Sequence, residues 1–144
     1  MNDVSNLAVL AERLSKRNAV NHKKEVDPSG LDQHSPGAKL DQGKPMVSLV
    51  LGGFARALME VAKVGTFGAK KYTPNGWMSV ANGIDRYSDA KARHQLYEAM
   101  GEEHDPDSGL LHAAHEAWNA LAVLELKLRE QAAKQAMEND NALG

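Results

Sequence analysis

Apolar residues recur at helical intervals along most of the chain, and nowhere do they alternate like a half-buried strand for more than a few residues. Val4, Leu7, Leu10 and Leu14 step by three or four behind Ser5, a candidate N-cap, so 4–17 reads as a short amphipathic helix. From Asn18 to Lys44 the period lapses. Asp27-Pro28-Ser29-Gly30, Ser35-Pro36-Gly37 and Gly43 bring turn residues and few large apolar ones, which predicts a flexible connection. After Pro45, the positions Val47, Leu51, Phe54, Leu58 and Val61 predict a core-facing helix over 46–64, weakened early by Gly52-Gly53. Between Gly65 and Trp77 glycine, proline and paired lysines replace the period, predicting a loop with a short helical piece. A further helix is expected from about Ile84 to Met100, ended by Gly101 in a left-handed cap. An acidic turn from Glu102 to Gly109 follows, and Ser108 or Asp107 is placed to cap a last helix from Leu110 to about Gln135.

The pattern predicts an all-α fold, a small helical bundle with a flexible N-terminal extension. Residues 1–38 form an amphipathic helix and connection, 39–135 the compact helical domain, and 136–144 a frayed tail. At 144 residues one ordinary domain is expected. An aromatic content of 5% beside abundant alanine agrees with helices rather than sheets. A net charge of −2 gives no global field for a nucleic-acid polymer or an anionic membrane, so phosphate binding must be local. The absence of cysteine excludes disulfides and thiolate zinc sites but leaves histidine and carboxylate sites open. The sequence shows neither a secretory signal at its start nor a stretch of ~20 apolar residues, so a cytoplasmic chain without membrane spans is expected.

The last helix carries the chemistry. At ~100° per residue, His112, His115 and Asn119 share an arc of roughly 60°, bordered by Leu111, Trp118 and Leu121 and continued by Ala122 and Leu126. Glu116 and Lys127 mark another direction, taken as solvent. Polar side chains set among apolar ones need partners: a metal, a ligand or each other. Tyr87, His94 and Glu98 share a face of the preceding helix. An antiparallel pair would bring His94 toward His112 or His115 and put Glu102 and Asp105 at the mouth of the groove. Imidazole with carboxylate suits Mg²⁺, Mn²⁺, Zn²⁺ or another divalent transition ion. The plainer alternatives are a structural hydrogen-bond network for the stripe and a solvated capping loop for the acidic turn.

A second group is basic and aromatic. Lys39 and Lys44 flank a turn, Lys70-Lys71-Tyr72 follows Gly68, and Asn75-Gly76-Trp77 adds an amide and a large ring. Lysine neutralises phosphate, Asn75 can pair with a base edge, and Tyr72 or Trp77 can stack on a base. Against this, paired lysines are usually surface residues and a tryptophan is usually core.

Taken in order, Lys39-Leu40-Asp41-Gln42-Gly43-Lys44-Pro45, Phe67-Gly68-Ala69-Lys70-Lys71-Tyr72 with Asn75 and Trp77, Arg93-His94, and Gly101-Glu102 through Asp105-Pro106-Asp107-Ser108-Gly109-Leu110 to His112, His115 and Asn119 resemble a known family. It is the phage-associated family named for the amino-terminal domain of dATP/dGTP diphosphohydrolases, and the similarity runs from about Lys39 to Leu128. The resemblance implies a helical, MazG-like enzyme removing diphosphate from a purine deoxynucleoside triphosphate in phage nucleotide metabolism, in the host cytoplasm. MazG-like enzymes hold Mg²⁺ with Glu-x-x-Glu and Glu-x-x-Asp; the corresponding helices here offer His94 with Glu98 and His112 with His115.

On this reading the expected metal ligands are His94, Glu98, His112 and His115. Glu102 and Asp105 are the catalytic carboxylates. Lys44, Lys71, Tyr72, Asn75, Trp77, Arg93 and Asn119 bind a purine deoxynucleotide or a related nucleotide. The largely apolar circumference of the last helix predicts a homo-oligomer. Two other classes compete: a non-catalytic module that sequesters a nucleotide or nucleotide-like signal, and a helical assembly protein whose stripe is an interface network.

Overall fold

A computed structural model describes residues 24–143. The described chain forms two compact units, one up to Met46 and one from Val47 onward. The expected helix over 4–17 lies outside the described residues.

In the first unit, residues 24–46, read from the sequence as a flexible connection, form a series of turns. Asp27 organises them: its buried carboxylate accepts the amides of Ser29 and Lys39, each at 2.7 Å, closing a loop 12 residues long. The Lys39 amide, with those of Ser29 and Leu31, holds the Asp27 carboxyl below its ordinary pKa, against a smaller opposing effect of burial. Lys44 pairs with Glu25 at 2.9 Å within this unit.

The second unit is entirely helical among the described residues: α1 (Val47–Gly53), α2 (Ala55–Lys71), a 3₁₀ turn (Gly76–Ser79), α3 (Gly83–Ala99) and α4 (His112–Leu143). The single helix expected over 46–64 is interrupted at Phe54 (φ −115°, ψ 21°), directly after the glycine pair. Past Val64 the helix continues through the segment read as a loop, to Lys71. Gly65 explains this: a Cβ there would lie 3.2 Å from Trp118 Nε1, so the glycine permits a close helix approach rather than marking a turn. The stripe expected to face the core does not. Of α2's apolar residues Val64 alone is buried, while Val47, Leu51 and Phe54 lie open and Leu58 and Val61 are half-buried.

α3 and α4 form an antiparallel hairpin, with Gly83 against Leu126 at one end and His94 against His112 at the other. α3 ends as expected. Gly101 (φ +92°) adopts the left-handed conformation, its amide bonds to Glu98 O, and the Glu102 amide bonds to Tyr97 O, the paired bonds of a Schellman cap. Ser108 does not cap α4, because a bridge between His104 and Leu111 delays the helix until His112. α4 then runs to Leu143, past Gln135, so the tail is helical rather than frayed. The buried apolar residues are small or few, Val64, Ala114 and Ala122, and beside them α4 buries His112, His115 and Asn119. No helix among the described residues is long and apolar enough to cross a membrane.

Candidate functional site

The site is built on the α3–α4 hairpin and its turn. His94 projects from α3, Glu102, Asp105 and Ser108 from the turn, His112 and His115 from the first turns of α4. The turn is fixed from within: the Asp105 amide bonds to Leu110 O, the Gly109 amide to Asp105 O and the His112 amide to Glu103 O. The Ser108 amide and hydroxyl both donate to Asp105 Oδ2, at 2.9 and 2.8 Å.

Hydrogen-bond roles follow from what each group can donate. A carboxylate only accepts, so His112 Nε2, 3.3 Å from Glu102 Oε1, carries a proton. In that tautomer His112 presents a bare Nδ1, which accepts the Nδ1 proton of His94 across 2.8 Å. That leaves His94 Nε2 unprotonated. The Ser108 hydroxyl, spent on Asp105, accepts from His115 Nε2 at 2.7 Å, which leaves His115 Nδ1 bare. His94 lies flat on His115 with ring centroids 4.5 Å apart, and Tyr97 stacks on His112 at 5.4 Å.

Burial pushes His94 down to about 4, reinforced by His115 and His112 and opposed by Asp105. Burial lowers His115 also, against the pull of Asp105. For Asp105, burial favours the neutral form, but the Ser108 hydroxyl and amide outweigh it and its pKa falls. His94 and His115 are thus biased toward neutral imidazole and Asp105 toward carboxylate, the protonation states a cation requires.

One ligand atom each from His94, Asp105 and His112 lies within 4.8 Å of the others. Neutral imidazole and carboxylate are competent donors, and Glu102 behind His112 supplies the outer carboxylate that commonly fixes a ligating histidine's tautomer. The donor set therefore fits a divalent ion. Of the expected ligands, His94 and His112 come together, His115 sits beside them bonded to Ser108, and Glu98 is exposed, its carboxylate without a hydrogen bond or ion pair among the described residues. Asp105 is the carboxylate grouped with His94 and His112, and Glu102 contacts His112 Nε2.

The expected substrate residues divide. Lys71 pairs with Asp107 on the turn, which raises its pKa, chiefly through that hydrogen bond, and its ammonium lies 5.6 Å from the Phe67 ring centroid. Tyr72 is exposed at the end of α2, and Asn75 is an exposed left-handed residue (φ 60°) opening the 3₁₀ turn. Arg93 is exposed, its charge felt at His94. Trp77 packs edge-on with Tyr87 and Trp118, and the Tyr87 hydroxyl donates to Trp77 O at 3.2 Å. Asn119 donates its amide to His115 O at 2.8 Å, bracing its own helix. Ser108 and Tyr97 were not among the expected site residues. Asp105-x-x-Ser108, with a side chain that can hold the amide three residues on, was the available signal for the first.

The family described as dATP/dGTP diphosphohydrolase, N-terminal, matches residues 34–136. A protein of Salmonella phage PMBT28 called dATP/dGTP diphosphohydrolase is 41% identical over 81 residues, which make up 56% of this chain and 26% of that relative. The chain thus spans about a quarter of the relative's length. No solved structure matches. The match over residues 34–136 places the chain in the family of dATP/dGTP diphosphohydrolase N-terminal domains.

Proposed function

We propose that this protein is a metal-dependent hydrolase of a purine deoxynucleoside triphosphate, releasing the monophosphate and diphosphate within phage nucleotide metabolism in the host cytoplasm. The observation that carries this reading is the meeting of His94, Asp105 and His112 within 4.8 Å, backed by Glu102 and Ser108. The relative's printed name supports the substrate class.

His94, Asp105 and His112 would hold the ion. Two imidazoles and one carboxylate favour Mn²⁺, Zn²⁺ or another transition ion over Mg²⁺, which prefers an all-oxygen shell. When bound, the ion supplies charge screening and a more acidic water. Hydrolysis joins a water oxygen to phosphorus, breaks a P–O bond of the bridge between the α and β phosphates, and hands the water proton to a base. Asp105, spent on Ser108 and lowered in pKa, is a better ligand than base. Glu102 uses Oε1 on His112, its side chain remains 45% exposed, and it is the carboxylate open to take that proton. Arg93 and Lys71 would meet phosphate oxygens.

We further propose that the protein acts as a homo-oligomer, a second copy covering Leu121, Leu124 and Leu128 of α4, which are 50%, 54% and 51% exposed in the single chain.

Incubating chelator-stripped protein with dGTP and Mn²⁺, Zn²⁺ or Mg²⁺ in turn should yield dGMP and diphosphate with at least one ion and none without. A second reading takes the same site as a module that binds nucleotide without cleaving it. Nucleotide bound yet returned intact with every ion would establish that reading and remove the first.

A further inference from the structure

Beyond the histidine cluster the second unit holds a cavity of about 330 Å³ between α2 and the 105–110 turn. Its walls include Met59, Phe67 and Leu110, with Lys63, Lys70 and Ser108 also lining it. Ser108 therefore belongs to two places at once: it lines this cavity, and its hydroxyl joins Asp105 to His115. The ion pair from Lys71 to Asp107 fastens α2 to the same turn, tying cavity wall to ligand-bearing segment. Lys63 is occupied by Glu60 at 2.7 Å, whereas the Lys70 ammonium has no hydrogen bond or ion pair among the described residues.

We infer that this cavity, rather than the Trp77 cluster, receives the base of the nucleotide, so that the ring lies against Phe67 while Lys70 meets the negative charge of the phosphates. The inference rests on the hydrolase or binding reading above and names the specificity element of that site. Small-molecule pockets begin at roughly 300 Å³ and combine apolar walls with a few polar groups. At its size this one admits a planar ring system and leaves the phosphates outside, on the side where Ser108 leads to His115, Asp105 and His94. Trp77 is less suited, since its ring already packs against Tyr87 and Trp118.

The test is binding of α,β-imido-dGTP, which resists cleavage at that bridge, to the full chain with Mn²⁺ by isothermal titration, beside inorganic tripolyphosphate, which has no base. Phe67→Ala should weaken the nucleotide roughly tenfold, the order expected for loss of one aromatic stacking platform, and leave tripolyphosphate unchanged. Met59→Trp, at an exposed helical position whose larger side chain would crowd the cavity, should weaken the nucleotide alone. Lys70→Ala should weaken both ligands several-fold, while Lys134→Ala, on the exposed end of α4, should change neither. Wild-type affinity for the nucleotide in both Phe67→Ala and Met59→Trp, with helical circular dichroism retained, overturns the pocket and leaves the proposed function standing. Failure of the wild-type chain to bind the nucleotide at all overturns both.

Discussion

On one side of α4, His112, His115 and Asn119 are buried, His112 to 1% exposure; on the other, Leu121, Leu124 and Leu128 stand half in water. A helix whose only task was to close a bundle would reverse the two, since burying leucine is favourable and burying imidazole costs free energy unless every polar atom is matched. Within the single chain the inner side is matched, because no buried side-chain nitrogen or oxygen among the described residues lacks a partner. The match is made partly by histidine bonding histidine. The lesson is that burial on this helix follows polar matching rather than apolar content, and on the proposed function the inner side serves a ligand and the outer one a second copy.

His112→Ala breaks the inner side most directly. If the residue holds a metal, dGTP turnover should fall by at least ~100-fold, since outer partners of ligands alone are worth about 10–100-fold, and the rise in Tm on adding Mn²⁺ should vanish. If it is only a network member, the orphaned His94 and Glu102 should cost ~1–3 kcal/mol equally with and without metal. Urea unfolding of both forms, beside turnover, separates the two outcomes.

Leu121→Glu with Leu124→Glu breaks the outer side. Sedimentation velocity should show an oligomer becoming a monomer, with helical circular dichroism retained because both residues are half in water already. A wild-type chain that sediments as a monomer at tens of micromolar would remove the partner surface.

A smaller effect belongs to the inner side alone. His94 has its pKa lowered from 6.5 to about 4 on folding, so as pH falls below 6.5 the unfolded chain takes up the proton first. His115 shifts the same way. Stability of the metal-free protein should therefore be level above about pH 7.5 and decline between pH 6.5 and 4, read as the urea midpoint. His94→Phe should flatten that decline; an unchanged slope would contradict the assignment.

The smallest effect locates where α2 meets the inner side. Gly68→Ala has nothing within 4 Å of the new Cβ and should gain about 1 kcal/mol from helix propensity alone. Gly65→Ala, 3.2 Å from Trp118 Nε1, should lose most of that gain. Equal stabilisation in thermal melts would mean the α2–α4 approach is looser than described.

The hairpin was legible in the sequence because periodicity, Gly101 and the His112/His115/Asn119 stripe are properties of one helix at a time. Position along a turn has no such period. Angular spacing therefore selected Glu98, on a helix, whereas the chain folds Asp105 into the group and ties it with Ser108. Phe54, Leu58 and Val61 were misplaced for a related reason: an apolar stripe reports that a face seeks cover, not whether the cover comes from the same chain. Gly65 misled because a glycine that admits a tryptophan and a glycine that makes a turn look alike in one sequence.

The hairpin also bears on how the site comes into being. His94 and His112 are only 18 residues apart in sequence, joined by a turn that carries two left-handed glycines, Gly101 and Gly109, and its own backbone bonds. Short-range closure of this kind costs little chain entropy and precedes contacts between distant segments. On these physical grounds the pairing of His94 with His112 falls in the early, fast stage of folding, while the α2–α4 approach at Gly65 and Trp118 must await a longer search. A chain caught between those stages would already own its histidine cluster and still lack the wall that closes over it.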